Sequence, residues 1–216
     1  YEKAEHAYED GLLCARRSGH TRSEALISIG LGDLYTELQD FEIAAQSYQH
    51  AAVFLQERQD QFLLFSLQVG RINLALLEGN IESACRMIAE VEGMVKSGQS
   101  HYENGLFDLI QGKLFLLDGK HTEAVHSLED AEAHLFQDGR ELEYTVTRVW
   151  LAAAYCAEKK YESASKKIME IGGSQRKTVH VAVAAAAQSQ GWLKALQKDA
   201  EAGQTVRALM MQADRL

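Results

Sequence analysis

Alanine returns in this chain at a constant interval. Ala4, Ala44, Ala84, Ala124 and Ala164 stand 40 residues apart, and their neighbours keep the same register. Three positions earlier come Tyr1, Phe41, Ile81, His121 and Tyr161. Four positions later come Tyr8, Tyr48, Ile88, Leu128 and Ile168, and seven later Gly11, Ala51, Val91, Ala131 and Ile171. These offsets share one face of an α-helix. One short unit cannot bury such a face alone, so its repetition predicts stacking of each unit on the next, which is a solenoid.

A second series precedes the first. Twelve residues before the alanine stand Gly32, Ile72, Gly112 and Ala152, followed three residues on by Tyr35, Ala75, Phe115 and Tyr155. A small residue inside a helix is unfavourable for propensity, and makes sense where a neighbouring helix approaches closely. Between the two series lie Gln39-Asp40, Gly79-Asn80, Gly119-Lys120 and Lys159-Lys160, mostly turn-forming residues. Each repeat therefore reads as a tight αα-hairpin. The spacing predicts helices near 1–17, 21–38, 41–57, 61–78, 81–96, 101–118, 121–137, 141–158, 161–171, 176–198 and 200–214. The domain reading is a single array over 1–216: 1–20 as the second helix of a truncated repeat, repeats at 21–60, 61–100, 101–140 and 141–174, and a terminal helical pair at 175–216. Glu2, Glu42, Glu82 and Glu162 fall in the first turns of second helices, where the helix dipole favours a carboxylate.

Composition agrees with an all-α chain: its 216 residues contain no proline. A net charge of −9 opposes a broad nucleic-acid-binding face, which needs clustered Lys and Arg. Cys14, Cys85 and Cys156 lie far apart without a Cys-x-x-Cys pair, which suggests neither a zinc site nor a disulfide framework and fits a reducing compartment. Each of the three is read as an inert thiol among apolar neighbours. No run of about 18 apolar residues predicts a membrane span, and no leader is visible. The expected location is cytoplasmic, and the start at Tyr1 without a methionine is read as a fragment of something larger.

Leu31-Gly32-Asp33-Leu34-Tyr35 with Ala44, Tyr48 and Ala51 resembles the tetratricopeptide repeat signature, and Gly112, Phe115, Ala124, Leu128 and Ala131 match it well. The pattern at Arg71, Ile72 and Ala75 is degenerate. The family's usual repeat is about 34 residues; here both helices are longer. Forty-residue repeats of this kind resemble the helical sensor regions of bacterial LuxR-type and maltose-type transcription activators, the peptide-receptor regulators of the Rap class, and eukaryotic polarity and kinesin light-chain scaffolds. The resemblance implies a right-handed superhelix of antiparallel helix pairs. It also implies a cytosolic regulatory protein whose DNA-binding or enzymatic domains lie elsewhere.

No catalytic constellation stands out. His121 and His126 are five apart rather than four and do not share a face for a metal, so no metal or cofactor is expected. Gly30 and Gly32 lack the third glycine and the strand of a nucleotide loop and read instead as packing positions. The packing set is Gly32, Tyr35, Ala44, Tyr48, Ala84, Gly112, Ala124 and Ala164.

First helices of stacked hairpins line a concave face. Stepping by 40 gives a polar row of Asp33, Asn73 and Lys113 ending in Ala153, and apolar rows Ile29, Val69, Leu109, Val149 and Leu26, Ser66, Leu106, Val146. Trp150 is either packing or groove lining. The apolar positions serve either as a groove floor or as contacts between adjacent repeats. The carboxylate clamp of the family's chaperone-tail receptors is disfavoured, because its positions hold Ile29, Asp33, Gly70, Leu106 and Ile110. The expected role is a non-catalytic interaction or sensing module that grips a protein or peptide segment, one with apolar anchors and basic groups. It involves no direct nucleic-acid or membrane contact and allows self-association. The alternatives are a receptor for a small molecule or short signalling peptide that changes curvature, and a structural scaffold.

Overall fold

The computed structural model describes residues 1–55, 60–96 and 100–171. Among them are nine helices and no strand: α1 Glu2–Ser18, α2 Thr21–Glu37, α3 Phe41–Leu55, α4 Gln61–Leu77, α5 Ile81–Lys96, α6 His101–Leu117, α7 His121–Gln137, α8 Glu141–Ala157 and α9 Tyr161–Ile171. Each start agrees with the spacing to within one residue. The helices expected at 176–198 and 200–214 lie outside the described residues. No described helix is long and apolar enough to cross a membrane.

The helix ends explain the tight turns. In the hairpins the residue two past each first helix is left-handed: Gln39 at φ 61°, Gly79 at 75°, Gly119 at 77° and Lys159 at 62°. The next amide reaches back to the residue where the aromatic series stands, Asp40 to Tyr35 O at 2.9 Å, Asn80 to Ala75 O and Lys120 to Phe115 O at 2.8 Å, and Lys160 to Tyr155 O at 2.8 Å. This closure satisfies the last carbonyls of one helix and launches the next without a linker. Asp60 and Ser100 then cap α4 and α6, accepting from Leu63 N at 3.1 Å and Glu103 N at 3.3 Å.

The chain forms two compact units, Tyr1–Ser97 and Gly98–Leu216. In the first, α1 to α5 pack as consecutive neighbours, and α2 also touches α4. In the second, α6 to α9 do the same, and α6 touches α8. Contacts between a helix and the next but one are what stacked hairpins produce and a simple bundle of pairs does not require. The pairs run antiparallel: Gly112 faces Leu128 while Gly105, earlier on α6, faces Leu135, later on α7.

The alanine ladder lies in the core. Ala44, Ala84, Ala124 and Ala164 are each 0% exposed, and Ala51, Val91 and Ala131 are equally sealed. Ala4, in the same register on α1, is exposed. The small residues of the first helices do what their size suggests. A Cβ on Gly32 would lie 2.5 Å from Tyr48 Cδ1, and one on Gly112 would lie 2.5 Å from Leu128 Cγ. Neither helix could hold its position with a larger side chain there.

Two expectations need correction. Cys14 and Cys85 are exposed, and only Cys156 is buried among apolar neighbours; helical periodicity alone places a thiol near a core without showing on which side it falls. The apolar row Ile29, Val69, Leu109, Val149 is buried at 4, 8, 4 and 1%, and Trp150 at 4%. Each first helix has neighbours on more than one side, so these positions pack against protein and do not form an open floor.

Candidate functional site

With that row buried, the groove positions that solvent still reaches are Asp33, Asn73 and Lys113 of the polar row and the row of Leu26, Ser66, Leu106 and Val146. Leu26 is 46% exposed, and the other three are half-buried. Asp33 is exposed, and Asn73 and Lys113 are half-buried. The structure brings Asp33 beside α4, whose Asn73 stands one turn beyond Gly70 on the same side. Lys113 belongs to the second unit.

Asp33 is held by Tyr48, a side chain only 1% exposed. Two glycines from different helices lie against the ring. A Cβ on Gly70 of α4 would lie 2.6 Å from Tyr48 Cε1 and 2.8 Å from Asp33 Oδ1, and one on Gly32 of α2 would lie 2.5 Å from Tyr48 Cδ1. The phenol donates to Asp33 Oδ1 at 2.7 Å and lies 3.2 Å from Thr36 Oγ1. The Thr36 hydroxyl in turn donates to Gly32 O at 2.7 Å. Buried hydroxyls seldom lack partners, so this chain fixes the ring and, through it, the carboxylate.

The same chain has too few protons when Asp33 is ionised. Two hydroxyl hydrogens serve three contacts, so the Thr36–Tyr48 contact has no hydrogen of its own. A protonated Asp33 donating to Tyr48 would let the phenol donate to Thr36 and complete all three. Asp33 keeps solvent access, but its carboxyl is set against the Tyr48 ring edge and the α4 backbone at Gly70. Poor hydration there and the nearby Glu37 push it up from 3.8 to about 7, against the hydrogen bond from Tyr48 that pulls it down. Burial and the Asp33 charge push the Tyr48 phenol up in turn. Along α1, Tyr8 is also raised by burial and by Asp33 and Glu37, and Tyr35 donates to Glu5 Oε1 at 2.6 Å. This end of the first unit presents acidic groups fixed by tyrosines.

The second unit is organised differently. Lys113 Nζ lies 5.3 Å from the centre of the Trp150 ring, so its cation covers a core indole. Asp108 Oδ2 is 2.9 Å from His134 Nδ1; burial raises the Asp108 carboxyl, with His134 opposing. Arg148 reaches Glu132 Oε1 at 2.9 Å and also pairs with Glu170. Lys167 reaches the same Glu132 Oε1 at 2.8 Å. This partly buried ion network ties α7, α8 and α9 together and is a packing device.

Tyr35 is half-buried against the core shared by α2, α3 and α4. The sequence reading missed the second glycine series. Gly30 and Gly70 stand 40 apart, as do their partners Tyr8 and Tyr48, and a Cβ on Gly30 would lie 2.7 Å from Tyr8 Cε1. The signal was available: each glycine precedes its register alanine by 14 residues and faces a tyrosine on the preceding helix. No protein-family model matches this chain, and no curated protein does.

Proposed function

We propose that the chain is a tetratricopeptide-type interaction or sensing module of a larger cytoplasmic signalling or transcription regulator. In this reading it performs no catalysis and grips a protein or peptide segment on the face of its first helices. The observation that carries the reading is the Asp33 carboxylate. Asp33 is an exposed residue, yet its Oδ1 is held by a buried tyrosine against the buried Gly70 of α4. A carboxylate held this way suits a basic group of an incoming segment, because the ordering of the acid has already occurred before binding. The exposed Leu26 on the same helix offers an apolar contact, and the net charge of −9 attracts a cationic partner from a distance.

The test uses a fluorescent amphipathic peptide of alternating Leu and Arg, with a Leu and Glu counterpart as control. The reading expects saturable binding of the basic peptide only, weakened by salt and by Asp33→Asn, which keeps a partner for the Tyr48 hydroxyl. Binding that ignores peptide charge, or is unchanged by Asp33→Asn and Asn73→Ala, would remove the interface from this face.

A further inference from the structure

The hairpin of α6 and α7 brings together two histidines that the repeat register does not call for. His101 is the first residue of α6, and His134 lies in the last turn of α7. Antiparallel packing places these ends side by side: the ring centroids are 5.7 Å apart and the planes are tilted by 42°. Gly105, one turn after His101, permits the approach, since a Cβ there would lie 2.6 Å from Leu135 Cγ and 3.2 Å from His134 Cβ. Asp108 stands two turns from His101 on the same face of α6. Its Oδ2 is 2.9 Å from His134 Nδ1. The equivalent positions hold Thr21, Ser28 and Phe54 in one hairpin and Gln61, Gln68 and Met94 in the next, so stacking in this register does not require imidazole there. No local spacing reveals the pair, because its members are on different helices.

The Asp108 contact decides what His134 offers. A carboxylate accepts, so Nδ1 carries the hydrogen, and in the neutral ring Nε2 keeps its lone pair. A carboxylate behind an imidazole is the arrangement that orients histidine ligands at metal centres and raises their basicity. An ion held by one nitrogen of each ring at about 2.1 Å places the ring centres roughly 5 to 6 Å apart, and the observed spacing falls in that range. His101 is exposed and the His134 side chain is one-third exposed, so an ion reaches both, while the more buried Asp108 stays on His134. Asp130, whose charge Asp108 feels, adds to the negative potential around them.

We propose that His101 and His134 form a two-histidine site for a divalent transition-metal ion of the zinc class, with Asp108 as the outer partner that fixes His134. Among the described residues no three His, Cys, Asp or Glu side chains are grouped to ligate one ion. The two imidazoles are therefore the protein's ligands, and water fills the remaining positions. The bound ion ties the start of α6 to the end of α7. This site is confined to one hairpin and does not depend on the first-helix face carrying a partner.

The experiment titrates zinc chloride into the whole protein, stripped of metal beforehand, by isothermal titration calorimetry. The exposed Cys14 and Cys85 are changed to serine throughout, so that their thiols do not compete. The expected result is saturable one-to-one binding, weakened by about tenfold or more in His101→Gln and by about tenfold in Asp108→Asn. His126→Gln, at a side chain 80% exposed on the same α7, should leave it unchanged. Because His101 is exposed, its variant keeps the fold, checked by an unchanged circular dichroism melt without zinc. Absence of saturable binding would overturn the proposal, as would binding that ignores His101→Gln. Binding unmoved by Asp108→Asn would remove the outer partner and with it the site as proposed. An equal loss in His126→Gln would mark adventitious binding to surface histidines and likewise overturn it.

Discussion

Replacing Gly32 with alanine sets two effects of opposite sign against each other. On propensity alone, glycine to alanine inside a helix stabilises by about 1 kcal/mol. At Gly32 the new methyl would lie 2.5 Å from Tyr48 Cδ1 and 2.8 Å from Cζ, so the ring must retreat by roughly 1 Å to reach ordinary contact. It has little room, because the residue is only 1% exposed, Gly70 also lies against the ring at Cε1, and the phenol is tied to Asp33 and Thr36. Overpacking of this kind costs about 1 to 3 kcal/mol, and the tethered ring places it at the upper end. The net expectation is a loss of about 2 kcal/mol. Gly93 of α5 is the control, since a Cβ there meets nothing within 4 Å; Gly93→Ala should gain about 1 kcal/mol. Urea unfolding followed by far-ultraviolet circular dichroism reads both as shifts in midpoint at unchanged slope. A Gly32→Ala protein at least as stable as the parent would show that the close approach of Tyr48 does not require the glycine.

Further expectations follow from other parts of the structure. Gln39 and Lys159 take the left-handed conformation that their register mates Gly79 and Gly119 take without penalty, so Lys159→Gly should stabilise by about 0.5 to 1 kcal/mol in the same assay. Glu132→Ala leaves Arg148 and Lys167, whose side chains are only 12 and 20% exposed, to share Glu170 alone; a loss of about 2 kcal/mol is expected, and Glu132→Gln should recover part of it. Asp33 has a folded-state pKa raised from 3.8 to about 7, so the native chain holds that proton longer than the unfolded one. Its contribution therefore favours the fold below pH 4 and declines as pH rises towards 7. Asp33→Asn should flatten that part of the stability profile, and a profile identical to the parent's would contradict the shift.

The helices, their turns and the buried ladder were legible because each leaves a periodic trace. Ala44, Ala84, Ala124 and Ala164 are sealed in the core, and the spacing recovers them directly. What periodicity could not give was the second partner of a residue with two neighbours. The row from Ile29 to Val149 faces inward on a helix flanked by more than one other, so its apolar character meant burial rather than an open groove. In α8 every residue from Val149 to Cys156 is buried, which erases the amphipathic stripe that would have told inside from outside. The Asp33–Tyr48–Thr36 chain was equally out of reach. Its members lie 12 and 15 residues apart on two helices, and only the glycine-gripped ring brings them together.

One register governs both pairing within a hairpin and stacking on the next, and Tyr48 is where the two meet. Nuclear Overhauser contacts from the Tyr48 ring protons measure this directly. Strong cross-peaks to the α-protons of both Gly32 and Gly70 are expected. Contact with Gly32 alone would leave isolated hairpins without stacking, and contact with neither would contradict the register.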